Sequence, residues 1–268
     1  MGTLWRLLID SVPAEGAWNM AVDRAIQVAR EDGAAPPTLR LYEWARPTVT
    51  LGRFQDAGSV DTDYCSANGI DLLRRETGGR GVLHDDEVTY SVIAGLADGV
   101  PRGTSASYRM LCGGLAAAYG LLGVDAALTS RPRGSHDSAA CYLHATQADL
   151  SLGVRKLSGS AQVWLGSTVL QHGSFTISRD IVREASVFRL AAEQRERLFR
   201  DTITLDAALG IAPTRACICE AIAGGFSQNL GLDLVAGELS QVEIEIAARL
   251  HSELLERAAR VGEVPGSR

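Results

Sequence analysis

Lys156 is the only lysine among the 26 lysine and arginine residues of this 268-residue chain. A guanidinium is planar and permanently charged, whereas an ammonium is a compact charge whose pKa moves on burial. One lysine kept where arginine stands everywhere else marks a position that needs that point charge, unless it merely survived a codon bias. It opens the run Lys156-Leu157-Ser158-Gly159-Ser160-Ala161-Gln162, whose small residues leave room for a carbonyl, carboxylate or phosphate to approach the backbone. Leu170-Gln171-His172-Gly173-Ser174 follows, with His172 readable as a substrate contact or as a satisfied strand histidine. Cys141 precedes Lys156 by fifteen positions. A thiolate beside a cation or histidine is a nucleophile, and the alternative is an inert buried thiol.

The run Arg74-Arg75-Glu76-Thr77-Gly78-Gly79-Arg80-Gly81-Val82-Leu83-His84-Asp85 is the other chemical stretch. Its glycines allow a tight turn and close approach of a ligand, and successive exposed N–H groups form an anion-binding concavity. The spacing is neither that of a P-loop nor of a dinucleotide fingerprint, and a plain tight turn is the competing reading. Arg74-Arg75 and His84-Asp85, flanking the glycines, favour a site. His84, His136, His144 and His172 match no common ligand spacing, so no metal is expected.

The elements that must position these groups are readable from periodicity. Leu4 to Ile9 predicts a buried strand, and Trp18, Ala21, Val22, Ala25, Ile26 and Ala29 predict a helix over about Ala17 to Arg30. Thr38 to Trp44 alternates like a half-buried strand. Ile70 to Arg75 and Glu87 to Ala94 predict strands around the glycine-rich run, and Ser105 to Leu122 predicts a helix. Thr129 to Ser138 reads as an exposed, mobile loop. Strands are expected at Gln147 to Leu152, Ala161 to Leu165 and Thr168 to Ile177, with a hairpin turn at Gly166-Ser167. From Arg179 the pattern is helical, and Ser240 with Glu243 forms a capping box for a last helix from Gln241 to about Val261. Strands early and helices late favour an α+β fold over strict βαβ winding.

Bulk properties set the class. Apolar residues make up 46% and charged residues 22%, which describes a soluble globular protein, and the net charge of −6 argues against a general nucleic-acid binder. No apolar run is long enough to span a membrane and the N-terminus is unlike a signal peptide. Five cysteines without regular spacing suggest free thiols in the cytoplasm, with Cys217-Ile218-Cys219 read as helix core.

Taken jointly, the motifs resemble the lipoyl/octanoyl protein ligase and transferase family of the biotin–lipoyl protein ligase superfamily. The resemblance covers most of residues 1–178. It includes Gly16-Ala17-Trp18-Asn19-Met20-Ala21-Val22-Asp23, Tyr42-Glu43-Trp44, Leu51-Gly52-Arg53-Phe54-Gln55, the Arg74 to Asp85 run, Lys156 to Gln162 and Leu170 to Ser174. Arg80, where ligases carry a third glycine, and the position of Cys141 resemble the cysteine-dependent octanoyltransferase branch. Arg24 and Tyr142 depart from the family pattern.

The resemblance implies an α+β fold of mixed, largely antiparallel sheets flanked by helices, like a biotin–lipoyl protein ligase catalytic domain. It implies one catalytic domain over 1–268, helical from about residue 180. It further implies octanoyl transfer from octanoyl-acyl carrier protein to a lysine of an apo lipoyl domain or glycine cleavage H protein, by a monomer without cofactor, metal, nucleic acid or membrane. Cys141 and Lys156 are then catalytic. Arg75, Thr77, Gly78, Gly79, Arg80, Gly81, His84, Ser158, Gly159, Ser160, Ala161, His172 and Gly173 would bind substrate. Lys156 would hold the substrate carbonyl and offset the oxyanion that develops there, and would also help deprotonate the incoming lysine if burial lowers its pKa. The alternatives are a lipoate–protein ligase using ATP and Mg, and a non-catalytic relative that binds acyl carrier proteins.

Overall fold

The computed structural model describes residues 3–129, 138–143 and 149–261. The expected loop between Thr129 and Ser138 falls on 130–137, outside the described residues, as do His136 and His144. In chain order the elements are β1 (Thr3–Ile9), α1 (Gly16–Glu31), β2 (Thr38–Tyr42), β3 (Thr48–Leu51), α2 (Thr62–Ala67), β4 (Asp71–Arg74), β5 (Val82–His84), β6 (Glu87–Gly95) and α3 (Thr104–Leu121). Then come β7 (Ala127–Leu128), β8 (Leu150–Leu152), β9 (Arg155–Ser158), β10 (Ser160–Leu165) and β11 (Thr168–Thr176). The chain ends with α4 (Ile181–Val187), α5 (Ala192–Asp201), α6 (Leu205–Leu209), α7 (Arg215–Leu230), β12 (Leu232–Ala236) and α8 (Gln241–Val261).

Six strands form the main sheet in the order β10-β11-β6-β2-β1-β12. The β10, β11, β6 and β2 neighbours run antiparallel, and β1 pairs in parallel with both β2 and β12. β6 is buried along its whole length because helices cover both faces of the sheet. Side chains alternate between the faces. Trp5, Leu39, Leu41, Tyr90 and Val92 meet Leu111, Leu115, Ile222 and Phe226 of α3 and α7. Leu8, Ile93 and Leu170 meet Val22, Ala25 and Ile26 of α1, with Ala247 of α8 outside them.

Two smaller sheets, β4-β3-β5 and β7-β8-β9, carry the chemical motifs. The glycine-rich run joins β4 to β5, and Lys156 lies on β9. The fold is thus α+β with mixed and antiparallel sheets, as expected. The hairpin at Gly166-Ser167 joins β10 to β11, and the box at the start of α8 is formed reciprocally by Ser240 and Glu243.

Three expectations are corrected. β2 is fully buried rather than half-buried, because α1 covers the face where Arg40 projects. Arg40 donates to Asp10, Asp23 and to Asn19 there, so a polar residue in the strand did not mean solvent. β12 was not foreseen in the helical last third; it extends the sheet edge beside β1. The Cys217-Ile218-Cys219 segment is helical within α7, but only Ile218 is core and Cys217 is exposed.

Candidate active site

Backbone pairing brings the glycine-rich loop to the cysteine. The Cys141 N–H donates to the Gly81 carbonyl at 2.8 Å, and the Gly81 N–H donates to the Ala139 carbonyl at 3.0 Å. Cys141 opens a single 3-10 turn, Cys141–Leu143, with its side chain half-buried and its thiol free. Lys156 approaches from β9. Its Nζ donates to the Cys141 carbonyl at 3.1 Å and lies 3.8 Å from the Cys141 sulfur. The third partner is Asp149, at 3.0 Å. Lys156 is 4% exposed and Asp149 2% exposed, so this ammonium is desolvated but paired on every donor it has.

The Lys156 pKa is raised, so the condition on which it would act as a base is not met. Burial alone would lower it, but the charges of Cys141 and Asp149 and the bond to Asp149 outweigh burial and hold it above the ordinary lysine value. Lys156 is a standing cation at the sulfur and not a base. Gly159 leaves it room: a Cβ there would stand 3.3 Å from Nζ and 3.2 Å from the Asp149 carboxylate.

The neighbouring Tyr142 ring is clamped. The Arg179 guanidinium stacks 3.7 Å above it, Lys156 Nζ lies 5.5 Å from its centre, and its hydroxyl pairs with Thr176 at 2.8 Å. Arg179 is held by Thr202 at 2.8 Å and Glu184 at 3.3 Å. Thr202 in turn flanks Lys156, where the Ile203 N–H donates to the Lys156 carbonyl at 2.9 Å.

The glycine-rich loop is shaped by Arg75. Its guanidinium donates to the carbonyls of Thr50, Gly78 and Arg80 and to the Thr77 hydroxyl, all within 3.0 Å. Gly79 takes φ +96, a region that a side chain disfavours. Thr77 Oγ1 pairs with His172 Nε2 at 2.9 Å. Burial first, and then the charges of Arg75 and His84, push the His172 pKa down to about 3, so the ring is neutral.

His84 stands apart from this reactive cluster. Its nitrogens pair with Glu87 at 2.8 Å and Thr50 at 2.9 Å, and its ring stacks on Trp44 at 4.1 Å. Ser158 Oγ donates to the Ser174 carbonyl at 3.0 Å. Ser160 accepts from Tyr90 at 2.6 Å and its carbonyl accepts from Tyr108, while Ala161 faces His172 and Ser160 faces Gly173 across the β10–β11 ladder. Among the described residues, no cluster of histidine, cysteine, aspartate and glutamate has a metal-holding arrangement.

Sequence reasoning missed Asp149 and Arg179. Asp149 had a signal: an acidic residue just before an apolar strand whose hairpin partner carries the lone lysine. Arg179 had none, since only the folded chain brings it to Tyr142.

Comparison with known proteins gives the family. The profile of the lipoyl protein ligase A/B catalytic domain matches residues 15–212. The octanoyltransferase LipM of Kyrpidia tusciae is 39% identical over 264 residues, covering 94% of this chain and 96% of that protein. That of Symbiobacterium thermophilum is also 39% identical over 264 residues, covering 93% and 95%. A crystal structure of lipoate-protein ligase A bound with ATP superposes with a TM-score of 0.78 at 25% identity, covering 93% of this chain and 95% of that one. With its motifs gathered around one cysteine and one lysine, the chain belongs to the lipoyl protein ligase A/B catalytic-domain family and groups there with octanoyltransferases of the LipM kind.

Proposed function

We propose that this chain is an octanoyltransferase of protein lipoylation that works through an acyl-cysteine, as one catalytic domain whose helices beyond about residue 180 brace the site. The observation that carries the reading is the Cys141 sulfur 3.8 Å from a buried, paired Lys156 ammonium. A lone structural thiol would have no use for a desolvated cation, whose burial is costly unless it is paired.

The Cys141 sulfur attacks the thioester carbonyl of the octanoyl-acyl carrier protein. The new C–S bond forms as the bond to the carrier's pantetheine sulfur breaks, and the proton given up by Cys141 ends on that departing thiol. Negative charge develops on the carbonyl oxygen between these events. The charge of the Lys156 ammonium, with N–H groups of the Gly78 to Arg80 stretch of the loop, stabilises it. In the second half-reaction the neutral amine of a lipoyl-domain or H-protein lysine attacks the acyl-cysteine. The amide C–N bond forms as the C–S bond to Cys141 breaks, and the nitrogen's one surplus proton ends on the departing Cys141 sulfur. Since Lys156 stays charged, it is the electrostatic partner in both halves and the acceptor amine loses its proton elsewhere. No nucleotide or metal enters, and the work is cytoplasmic.

Thr77, Gly78, Gly79, Arg80 and Gly81 flank the path of the acyl group on one side and Ser158, Gly159, Ser160 and Ala161 on the other. Arg75 fixes the first wall. His172 and Gly173 stand behind the second, and His84 supports β5 from within.

The test is incubation with octanoyl carrier protein and an apo lipoyl domain, with and without ATP, followed by intact-protein mass spectrometry. Octanoyl transfer without ATP and a mass gain that maps to Cys141 are expected. Strict dependence on ATP with free octanoate as donor would make the chain a ligase.

A further inference from the structure

A cavity of about 200 Å³ lies between α1, β11, the glycine-rich loop and α8. Its apolar lining has two halves. Met20 of α1 and Leu170 of β11 supply one, and Leu250 and Leu254 of α8 supply the other. Leu170 and Leu250 belong to one apolar cluster, while Met20 and Leu254 belong to a second with Trp44 and Leu73. The cavity is the gap these clusters leave between them.

Its inner polar lining is already satisfied. Asp23 is bonded to Arg40, Tyr42 and Ser91, Arg75 to three carbonyls, and Thr77 to His172. Arg24 and Arg74 also border it, and its carbon surface comes from Met20, Leu170, Leu250 and Leu254, a patch that suits a hydrocarbon guest. The outer edge carries Glu76, Glu253 and Arg257, with Arg257 3.7 Å from Glu76. Arg75 joins the cavity to the nucleophile: it lines the cavity and donates to the Arg80 carbonyl, next to Gly81, whose own carbonyl accepts from the Cys141 N–H.

The two halves differ in origin. Met20 and Leu170 fall within residues 15–212, the span shared with the catalytic-domain family, whereas α8 lies wholly beyond it. The wall that closes this cavity is therefore contributed by a helix beyond the span of the catalytic-domain profile.

We propose that α8 is the chain-length gauge of this enzyme: Leu250 and Leu254 close the slot that receives the methyl end of a saturated acyl chain, and their bulk sets the longest chain accepted. The biological meaning rests on the acyl-cysteine reading above; the binding test does not. Shortening Leu254 lengthens the slot, and each extra methylene buried there adds the usual hydrophobic increment.

Titration calorimetry with hexanoate, octanoate, decanoate and dodecanoate separates the outcomes. Leu254→Ala and Leu250→Ala are each expected to move the preferred acid to a longer chain, changing the decanoate-to-octanoate Kd ratio about tenfold. Leu254→Phe is expected to move it to a shorter one. An unchanged preference in the folded variants, or no acid bound by the unaltered protein at millimolar concentration, would overturn the gauge. Carrier proteins bearing the same acyl groups form the second arm. If the binding preference shifts as stated while no protein gains an acyl group on Cys141, the transfer reading fails and the gauge stands.

Discussion

Position 156 separates an ammonium from a guanidinium more sharply than composition does. Lys156 Nζ already has the Cys141 carbonyl at 3.1 Å, the Cys141 sulfur at 3.8 Å and Asp149 at 3.0 Å around it, so the wider fork of an arginine cannot take the same place beside the sulfur. Lys156→Arg should keep the fold, by circular dichroism, and lose about 10²- to 10³-fold in kcat, the range for removing one donor to a developing oxyanion. Asp149→Asn tests the same pair from its other end. In the intact pair the Lys156 pKa stays above the ordinary lysine value, so stability from the pair is complete below that value and is lost only as pH rises through the raised one. Without the Asp149 charge, burial pulls the Lys156 pKa down and the ammonium is lost at a lower pH. The alkaline limb of kcat/KM in Asp149→Asn should accordingly move toward neutrality, and a profile superposing on that of the unaltered protein would remove Asp149 from this role.

Between elements, the site depends on contacts that join distant parts of the chain. The turn bearing Cys141 is bound to the glycine-rich loop through Gly81 and braced by Arg179 on Tyr142. Arg179→Met keeps an aliphatic stem but removes the stacked charge and the bond to Thr202. A fall in kcat of about tenfold with little change in KM is expected, and Arg179→Lys should restore part of it because a cation still stands over the ring. A purely structural arginine would instead lower the melting temperature with kcat unchanged. Much of this arrangement was readable beforehand. The Ser240–Glu243 box, the hairpin at Gly166-Ser167 and the helix ending before Gly33 are local chemistry, and each lies where its residues indicated. The assembly of the three motifs around Cys141 was legible only through resemblance. Neither the burial of Arg40 nor the pairing of Asp149 with Lys156 has a local cause: both follow from which face a helix or hairpin covers.

Across the whole molecule, the first strand and the last helix are tied by one buried ion pair. Arg6 of β1 reaches Glu243 at the start of α8 at 2.5 Å and also donates to Thr38 and the Glu238 carbonyl. Glu243 is fully buried, so Arg6→Met leaves an uncompensated carboxylate, a change that costs about 3–5 kcal/mol. The melting temperature should fall by roughly ten degrees in a chain of this size. The same pair gives the molecule an acid limit. Burial alone would raise the Glu243 pKa, but bonds from Arg6 and from the Ser240 backbone outweigh it and hold it below the usual glutamate value. Its stabilisation is present above that usual value and is lost as pH falls through the lower one. His172 acts in the same direction: with its pKa pushed down to about 3, the folded chain refuses a proton that the unfolded chain accepts below the ordinary histidine value. Its stabilisation of the fold is present above that value and is lost as pH falls toward the folded one. Asp23 and Glu184 act oppositely, since burial exceeds their partners' pull and raises both. Differences between variants cancel these opposing groups. Thermal melts of the unaltered protein, Arg6→Met and His172→Asn from neutral pH to about pH 4 should show the steepest acid loss in the unaltered protein. His172→Asn should flatten the loss below the ordinary histidine value, and Arg6→Met should flatten it further down, near the glutamate range. Parallel curves for all three would mean that neither group governs the acid limit, and that α8 is held to β1 by its apolar packing alone.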